Sequence, residues 1–145
     1  MVDSEKRTIF VTMKIFIDDL RSVDMSHNPN KGLGVVTDFV IARNDEDFIK
    51  LVDENINDIT LVSFDHDLAC FKDGGEFTGK TACEYLIDKC LEVGRKFPDW
   101  YVHTDNTCGR ENILGLILNY IKKVDGVDTS DFRYFHRGRV NGKFV

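Results

Sequence analysis

Three short apolar runs in this chain each end in a group of polar or ionisable residues, and this repeated pattern most limits the possible fold. Residues 61–64 lead directly into residues 65–67, Asp-His-Asp. Similar runs precede residues 18–19, Asp-Asp, and residues 103–106, His-Thr-Asp-Asn. Short runs rich in β-branched and aromatic residues are typical of buried strands. We therefore predict three strands whose carboxyl ends carry the chemistry of the protein.

Between these runs, apolar residues recur with the spacing of amphipathic helices. Helices are predicted over residues 45–54, 79–93 and 110–123. Strands are predicted over residues 14–17, 35–42, 59–64, 100–103 and 132–136, with loops at 22–34 and 72–77 and a turn at 140–143. This alternation favours an α/β three-layer sandwich with a mostly parallel five-stranded sheet. Ligands of such sheets lie beyond the carboxyl ends of the strands, where all three polar groups fall.

The chain has 145 residues, which suits one domain with its own core. We predict a domain over residues 13–145, preceded by an N-terminal extension over residues 1–12. The net charge of −6 argues against binding long duplex nucleic acid through the overall field. A short nucleotide or RNA end, held by a few local cations, remains compatible with this charge.

The four cysteines are not spaced like zinc ligands, and we expect them to be reduced thiols of a cytoplasmic protein. No apolar run reaches the roughly 18 residues that span a membrane, so no membrane contact is expected. The sequence gives no indication of the oligomeric state.

Carboxylates that converge in one pocket repel each other and lose hydration, and a hard divalent cation is a common remedy. We predict that Asp19 and Asp65, together with Asp18 or Asp67, bind Mg²⁺ or Mn²⁺. The alternative, that these acids only cap turns and helix starts, stays open for each residue taken alone.

Two histidines at strand ends, His66 and His103, are candidate acid–base groups beside the catalytic candidate Asp65. The predicted helix after residue 109 offers an anion site at its N-terminus. The candidates for binding substrate are Thr104, Asn106, Arg110, Arg21 and Lys80. Arg137 and Arg139 follow the last predicted strand and are further candidates for the same rim.

Residues 74–81 match the phosphate-loop pattern G-x-x-x-x-G-K-[ST]. A working phosphate loop follows its strand directly, whereas here the strand ends near Phe64. Glu76 within the loop would also repel a triphosphate. We therefore expect an ordinary loop in which Thr78 caps a helix that begins at Gly79.

Residues 17–21, 63–68, 78–79 and 103–113 together resemble the cyclic-phosphate-processing receiver-like domain family of bacteria and phages. The resemblance extends over nearly the whole chain from Met13. It implies a receiver- or flavodoxin-like fold whose acidic pocket acts on a cyclic or terminal phosphate of a nucleotide or RNA end. It also implies a place in the cytoplasm of a bacterium or a phage-infected host.

The function favoured by these residues is metal-dependent hydrolysis of such a phosphate. One alternative is a module that binds a phosphorylated nucleotide without turnover. Another is a receiver switch that accepts phosphate on Asp65, although a receiver has a lysine where His136 and Arg137 stand. A Toprim-like nucleic-acid enzyme is a fourth hypothesis, but it requires a glutamate where Asp18 and Asp19 lie.

Overall fold

The computed structural model describes residues 12–19, 39–67, 70–72 and 75–145. Its strands are β1 (Met13–Ile17), β2 (Phe39–Ala42), β3 (Ile59–Phe64), β4 (Cys70–Lys72), β5 (Gly75–Phe77), β6 (Asp99–Val102), β7 (Gly138–Val140) and β8 (Lys143–Phe144). Its helices are α1 (Asp45–Asn55), α2 (Gly79–Val93) and α3 (Thr107–Lys123). Arg21, the predicted loop at 22–34 and the first part of the second predicted strand lie outside the described residues.

The main sheet has six strands in the order β2-β1-β3-β6-β7-β8. β2, β1, β3 and β6 pair in parallel, whereas β7 and β8 add an antiparallel edge. The connections from β2 to β3 and from β3 to β6 both move across the sheet in the same direction, from the β2 edge towards β8. Connections between parallel strands are right-handed, so α1 and α2 lie on the same face of the sheet. The predicted class, an α/β fold with a mostly parallel sheet and a receiver- or flavodoxin-like arrangement, is confirmed.

Both faces of the central strands are buried, as a parallel sheet requires. On the face with the helices, Val62 and Trp100 belong to one core cluster with Phe48 of α1, Leu86 of α2 and Ile117 of α3. Each fully buried side chain of this size contributes on the order of 1.5–3 kcal/mol to folding. On the opposite face Phe16, Ser63, Tyr101 and His103 are also buried. The polar members of that second face belong to the candidate site.

Three helix starts are set by short polar side chains. Asn44 caps α1 by accepting a hydrogen bond from the Asp47 N–H, and Thr78 forms a capping box with Thr81 at the start of α2. Asn106 caps α3, which therefore begins three residues before the predicted start at Arg110. At its other end, α2 stops at Gly94, whose left-handed φ of 76° suits glycine.

Two predicted elements differ from the structure. The predicted loop at residues 72–77 contains most of a small antiparallel hairpin formed by β4 and β5. The strand predicted over residues 132–136 is wrong, because this segment forms consecutive turns. The His136 N–H donates to the Arg133 carbonyl oxygen at 2.9 Å, so the hydrogen bonds run within the segment rather than to a neighbouring strand. The strand that pairs with β6 comes later, as β7, and the expected turn after it joins β7 to the edge strand β8.

Cys83 and Cys90 are free and buried in α2, whereas Cys108 is free and exposed in α3. Among the residues that the structure describes, no helix is both long enough and apolar enough to cross a membrane.

The junction of β6 and β7 leaves no room for a side chain at Gly138. A Cβ atom there would overlap the Trp100 carbonyl oxygen and lie 2.9 Å from the Tyr101 Cα. We expect Gly138→Ala to lower the free energy of unfolding by about 1–3 kcal/mol, because backbone atoms would have to move apart. Urea denaturation measures this loss.

Gly115→Ala is the matched control, because Gly115 lies within α3 and a Cβ there meets nothing within 4 Å. Alanine is the better helix former, so this variant should gain about 0.5–1 kcal/mol. Equal stabilities of the two variants would contradict the proposed packing of β7 on β6.

Candidate active site

The register of the sheet aligns the carboxyl ends of β1, β3 and β6. Ile17 of β1 lies beside Phe64 of β3, and Phe64 lies beside Val102 of β6. The next residue of each strand is Asp18, Asp65 and His103, and backbone hydrogen bonds continue the pairing, from Asp65 N–H to Ile17 O and from His103 N–H to Phe64 O. One ligand atom from each of these three side chains lies within 4.8 Å of the other two. The three strand ends predicted from the sequence therefore meet in one acidic row, defined here as Asp18, Asp65 and His103.

A buried chain of hydrogen bonds fixes one side of the acidic row. His103 Nε2 lies 2.9 Å from Asp18 Oδ2, and His103 Nδ1 lies 2.8 Å from Ser63 Oγ. A carboxylate can only accept hydrogen bonds, so Nε2 carries the proton in this arrangement. Phe16 stacks on the imidazole with ring centroids 4.1 Å apart. The orientation of His103 is thus determined on both edges and on one face.

This Asp–His–Ser chain is not a nucleophilic triad. Ser63 lies within β3 and is fully buried, as is His103, so the hydroxyl has no access to a substrate. The chain instead holds the Asp18 carboxylate in place. Ser63 was absent from the residues predicted for the site. Its signal in the sequence is weak: it is a hydroxyl within a buried apolar strand, on the same face as the histidine that it contacts.

Asp65 is the half-buried member of the acidic row. Burial and the neighbouring Asp18 carboxylate raise the pKa of Asp65 above its ordinary value. His103, a hydrogen bond from the Thr104 side chain and a hydrogen bond from the His66 N–H act in the opposite direction, but the net direction is upward. Asp18 and Asp65 therefore lie in a place where burial and their mutual repulsion make the second of the two negative charges unfavourable.

A second polar network lies beside the acidic row. His66 Nδ1 is 3.0 Å from Asp67 Oδ1, and the Asn106 amide lies 3.4 Å from both Asp67 oxygens. The Asn106 side chain also accepts a hydrogen bond from the Gly109 N–H at the start of α3. A Cβ atom at Gly109 would overlap the His66 ring, so glycine allows the imidazole to lie directly on the helix. This network joins the end of β3 to the N-terminus of α3.

The start of α2 also rests on the strand ends. The Gly79 N–H donates to the His66 carbonyl oxygen at 2.9 Å, and a Cβ atom at Gly79 would overlap the Asp65 carbonyl oxygen. Thr81 is occupied in the capping box with Thr78. The segment that matches the phosphate-loop pattern thus begins a helix at Gly79 with Thr78 as its cap, as expected.

The structure separates the predicted site residues into groups. Asp18, Asp65, His103 and Thr104 lie together, and His66, Asp67 and Asn106 form the adjacent network. Asp19 is half-buried and is not a member of the acidic row. Lys80 is paired with Glu84 at 3.9 Å, and Arg110 is half-buried in the first turn of α3. Arg21 lies outside the described residues. The catalytic and binding roles of all these residues stay predictions.

Arg137 reaches the same edge of the sheet from the antiparallel side. Its Nη1 atom lies 3.1 Å from the Thr104 carbonyl oxygen and 3.4 Å from the Val102 carbonyl oxygen. Because β7 runs antiparallel to β6, the residues that precede β7 are the ones that approach the site. Arg137 was predicted for this rim, as a residue that follows the last strand. It is found there, but it precedes β7 rather than following a strand.

A mostly parallel sheet with an acidic row at its strand ends defines a receiver-like α/β protein. The family model of the cyclic-phosphate processing receiver domain matches residues 13–119, well over half of the chain. The chain therefore belongs to this family, and the matched segment contains the entire acidic row. The search of curated proteins found no match.

The donor atoms of the acidic row fit a hard divalent cation. Asp18 and Asp65 offer carboxylate oxygens, which such cations prefer, and water completes their coordination in most proteins. The His103 nitrogen within the group already contacts Asp18, which makes it a support for that ligand. The pKa of Asp65 is raised, which means that this site favours the binding of a positive charge, whether a proton or a metal cation.

Ser63→Ala tests the buried chain. The change removes the partner of His103 Nδ1 and leaves a buried polar atom unsatisfied, which should lower the free energy of unfolding by about 1–3 kcal/mol. Nitrogen-15 NMR of the imidazole should also show a change in the Nδ1 resonance, which loses its hydrogen-bond donor, while Nε2 keeps its proton through Asp18. The control is Thr60→Ala, which removes an exposed hydroxyl from the same strand and should cost less than about 0.5 kcal/mol. An unchanged imidazole spectrum in Ser63→Ala would count against the chain.

Proposed function

We propose that this protein hydrolyses a cyclic or terminal phosphate on a nucleotide or RNA end, with a divalent cation at the acidic row. The single observation that carries the proposal is the alignment of Asp18 and Asp65 on adjacent strand ends, in a chain of the cyclic-phosphate processing receiver family. Two carboxylates in one half-open row suit a reaction at an anionic phosphate only if a cation offsets their charge.

Asp18 and Asp65 would hold the cation, and Mg²⁺ and Mn²⁺ are the candidates that suit oxygen ligands. When bound, the cation supplies a Lewis acid for a phosphate oxygen and lowers the pKa of a water molecule. His103 acts on this site through Asp18, because it is fully buried and its Nε2 atom contacts that carboxylate. Asp19 and Asp67 are the remaining candidates for outer contacts with the cation or its water.

The phosphate would lie against the N-terminus of α3. This helix has 17 residues, and its partial positive charge and free N–H groups attract anions at the first turn. Arg110 lies in that first turn, and Thr104 contacts Asp65 through its side chain. Arg110 would orient the phosphate, and Lys80 at the start of α2 would add a cation at the rim. Thr104 is buried and bonded to Asp65, so it would act on the phosphate through that carboxylate.

His66 is the better candidate for protonating the leaving oxygen. Its side chain is 18% exposed, whereas His103 is inaccessible, and its Nδ1 atom is held by the Asp67 carboxylate. In the proposed reaction a water oxygen bonds to phosphorus and releases one proton to solvent, and the ester P–O bond breaks. The departing alkoxide takes a proton from Nε2 of the His66 imidazolium, whose Nδ1–H stays bonded to Asp67. The pair with Asp67 orients the ring for this transfer.

Turnover is tested by incubating the purified chain with 2′,3′-cyclic nucleotides and with RNA that ends in a 2′,3′-cyclic phosphate, in Mg²⁺, Mn²⁺ or EDTA. Asp65→Asn and Asp18→Asn should each lower the rate by about 100-fold or more, because each removes a charge at the reacting phosphate. Asp88→Asn, on the exposed side of α2, should match the wild type. Wild-type rates in Asp65→Asn would exclude the mechanism.

Two other outcomes distinguish the alternative functions. Tight binding measured by calorimetry, with the nucleotide recovered unchanged, would favour a module that sequesters its ligand. A mass increase of one phosphate after treatment with a small phosphodonor, absent in Asp65→Asn, would favour a receiver switch.

Asp65 also links the site to stability. Its pKa is raised in the folded chain, so folding favours the protonated carboxyl. This contribution is fully present below the ordinary pKa of 3.8 and is lost as pH rises through the higher folded pKa. In EDTA at pH 7, Asp65→Asn should therefore melt above the wild type, by roughly 2–4 °C at most, since solvent screening limits the effect to below about 1 kcal/mol.

Thermal melts between pH 3 and 8 measure this difference. Addition of Mg²⁺ should raise the melting temperature of the wild type and of Asp88→Asn, but not that of Asp65→Asn. A melting temperature that responds equally to Mg²⁺ in all three proteins would place the cation elsewhere.

A further inference from the structure

Residues 132–137, called here the aromatic turn, expose two large aromatic side chains next to each other. Tyr134 is 94% exposed and Phe135 is 64% exposed. Their rings meet edge to face, with centroids 5.5 Å apart. Aromatic rings are usually buried to a large extent, and an exposed pair of them is typical of a binding surface.

The base of the aromatic turn is firmly held. The His136 N–H donates to the Arg133 carbonyl oxygen at 2.9 Å, and the Arg133 N–H donates to His136 Nδ1 at 2.8 Å. Phe132 packs against Trp100 of β6 and Phe144 of β8, with ring centroids 6.3 and 5.3 Å apart. These contacts fix the backbone that carries Tyr134 and Phe135, so binding a ligand would cost little free energy for ordering the turn.

The aromatic turn ends at the candidate active site. Arg137 contacts the Thr104 carbonyl oxygen at 3.1 Å, and the Thr104 side chain bonds to Asp65. Tyr134 lies three residues before Arg137, so the two Cα atoms are at most about 11 Å apart. A chain of a few nucleotides whose end lies at the acidic row can therefore pass over the exposed rings.

The charge of this segment suits a nucleic-acid strand. Residues 132–145 contain four Lys and Arg and no Asp or Glu, in a chain whose net charge is −6. The neighbouring groove is lined by Asp125, Asp128 and Asp131 and by Lys96, Arg139 and Lys143, so its charges balance and it does not favour phosphates. Arg133 and Arg137 lie outside that lining and flank the two exposed rings in sequence, so they are the cations that a phosphate backbone passing over the rings would meet. The whole segment follows residue 119, where the family match ends.

We propose that the aromatic turn is a subsite for bases, and that the ligand of this protein is a single-stranded oligonucleotide rather than a mononucleotide. Tyr134 and Phe135 stack on one or two bases next to the terminal phosphate, while Arg133 and Arg137 face the backbone. The assignment of the terminal phosphate to the acidic row rests on the proposed function. Stacking is tolerant of sequence, so the subsite selects strand length and single-strandedness.

The experiment measures binding by calorimetry in Ca²⁺, a hard cation that can offset the charge of the acidic row, and each probe is recovered afterwards and tested for hydrolysis. The probes are single-stranded RNA of about five nucleotides ending in a 2′,3′-cyclic phosphate, the same RNA ending in a 3′-hydroxyl, and a 2′,3′-cyclic mononucleotide. The double variant Tyr134→Ala/Phe135→Ala should bind both RNAs about 10-fold or more weakly than the wild type. It should bind the mononucleotide as the wild type does.

Two controls isolate stacking. Leu91→Ala removes a 54% exposed apolar side chain from α2 and should leave RNA binding unchanged. Tyr134→Phe keeps the ring and should retain wild-type affinity. Equal RNA affinities of the wild type and the double variant would overturn the proposal, as would wild-type RNA binding no tighter than mononucleotide binding. Self-association that depends on the two rings, without an effect on RNA binding, would overturn it in favour of a contact between copies.

The binding and turnover results separate this proposal from the proposed function. RNA binding that depends on Tyr134 and Phe135, with no substrate turned over, retains the subsite and rejects the hydrolase. Turnover of cyclic nucleotides with RNA binding independent of the two rings retains the hydrolase and rejects the subsite.

Discussion

The contact between the buried Asp18 carboxylate and the His103 imidazole is the interaction on which the rest of this site depends. A carboxylate that is almost entirely removed from water is costly unless it has a partner of suitable geometry. His103 supplies that partner, and Ser63 and Phe16 restrict the ring from two further directions. Because all four residues lie on the same face of adjacent strands, the sheet itself carries the support, and Asp65 can remain half-open beside it.

Much of the fold was predictable, because the local preferences of these residues agree with the contacts that they make in the folded chain. Apolar runs followed by polar groups marked β1, β3 and β6, and Thr78 marked the start of α2. The choice between Asp18 and Asp19 was not predictable, since it depends on which face each residue takes where β1 ends. Only the register, with Ile17 beside Phe64 and Phe64 beside Val102, decides that Asp18 joins the row.

Two errors show where local preference gives way to other interactions. The aromatic residues at 132–136 are typical of strands, but hydrogen bonds within the segment and the contact of Phe132 with Trp100 stabilise turns instead. The predicted start of α3 is too late, because glycine is typical of turns, whereas Gly109 lies within the helix and its lack of a side chain admits the ring of His66. In both cases the deciding partner is distant in sequence, which a single sequence does not reveal.

The antiparallel pairing of β7 with β6 has a consequence for how this domain can diversify. The parallel strands deliver the acidic row through their carboxyl ends, and each is locked between neighbours. β7 runs the other way, so it brings a separate piece of chain, residues 132–137, to the same rim. Under the two proposals made above, mutations in that piece would alter the ligand that is recognised and leave the acidic row unchanged. Selectivity and chemistry would then be encoded in segments that can evolve at different rates.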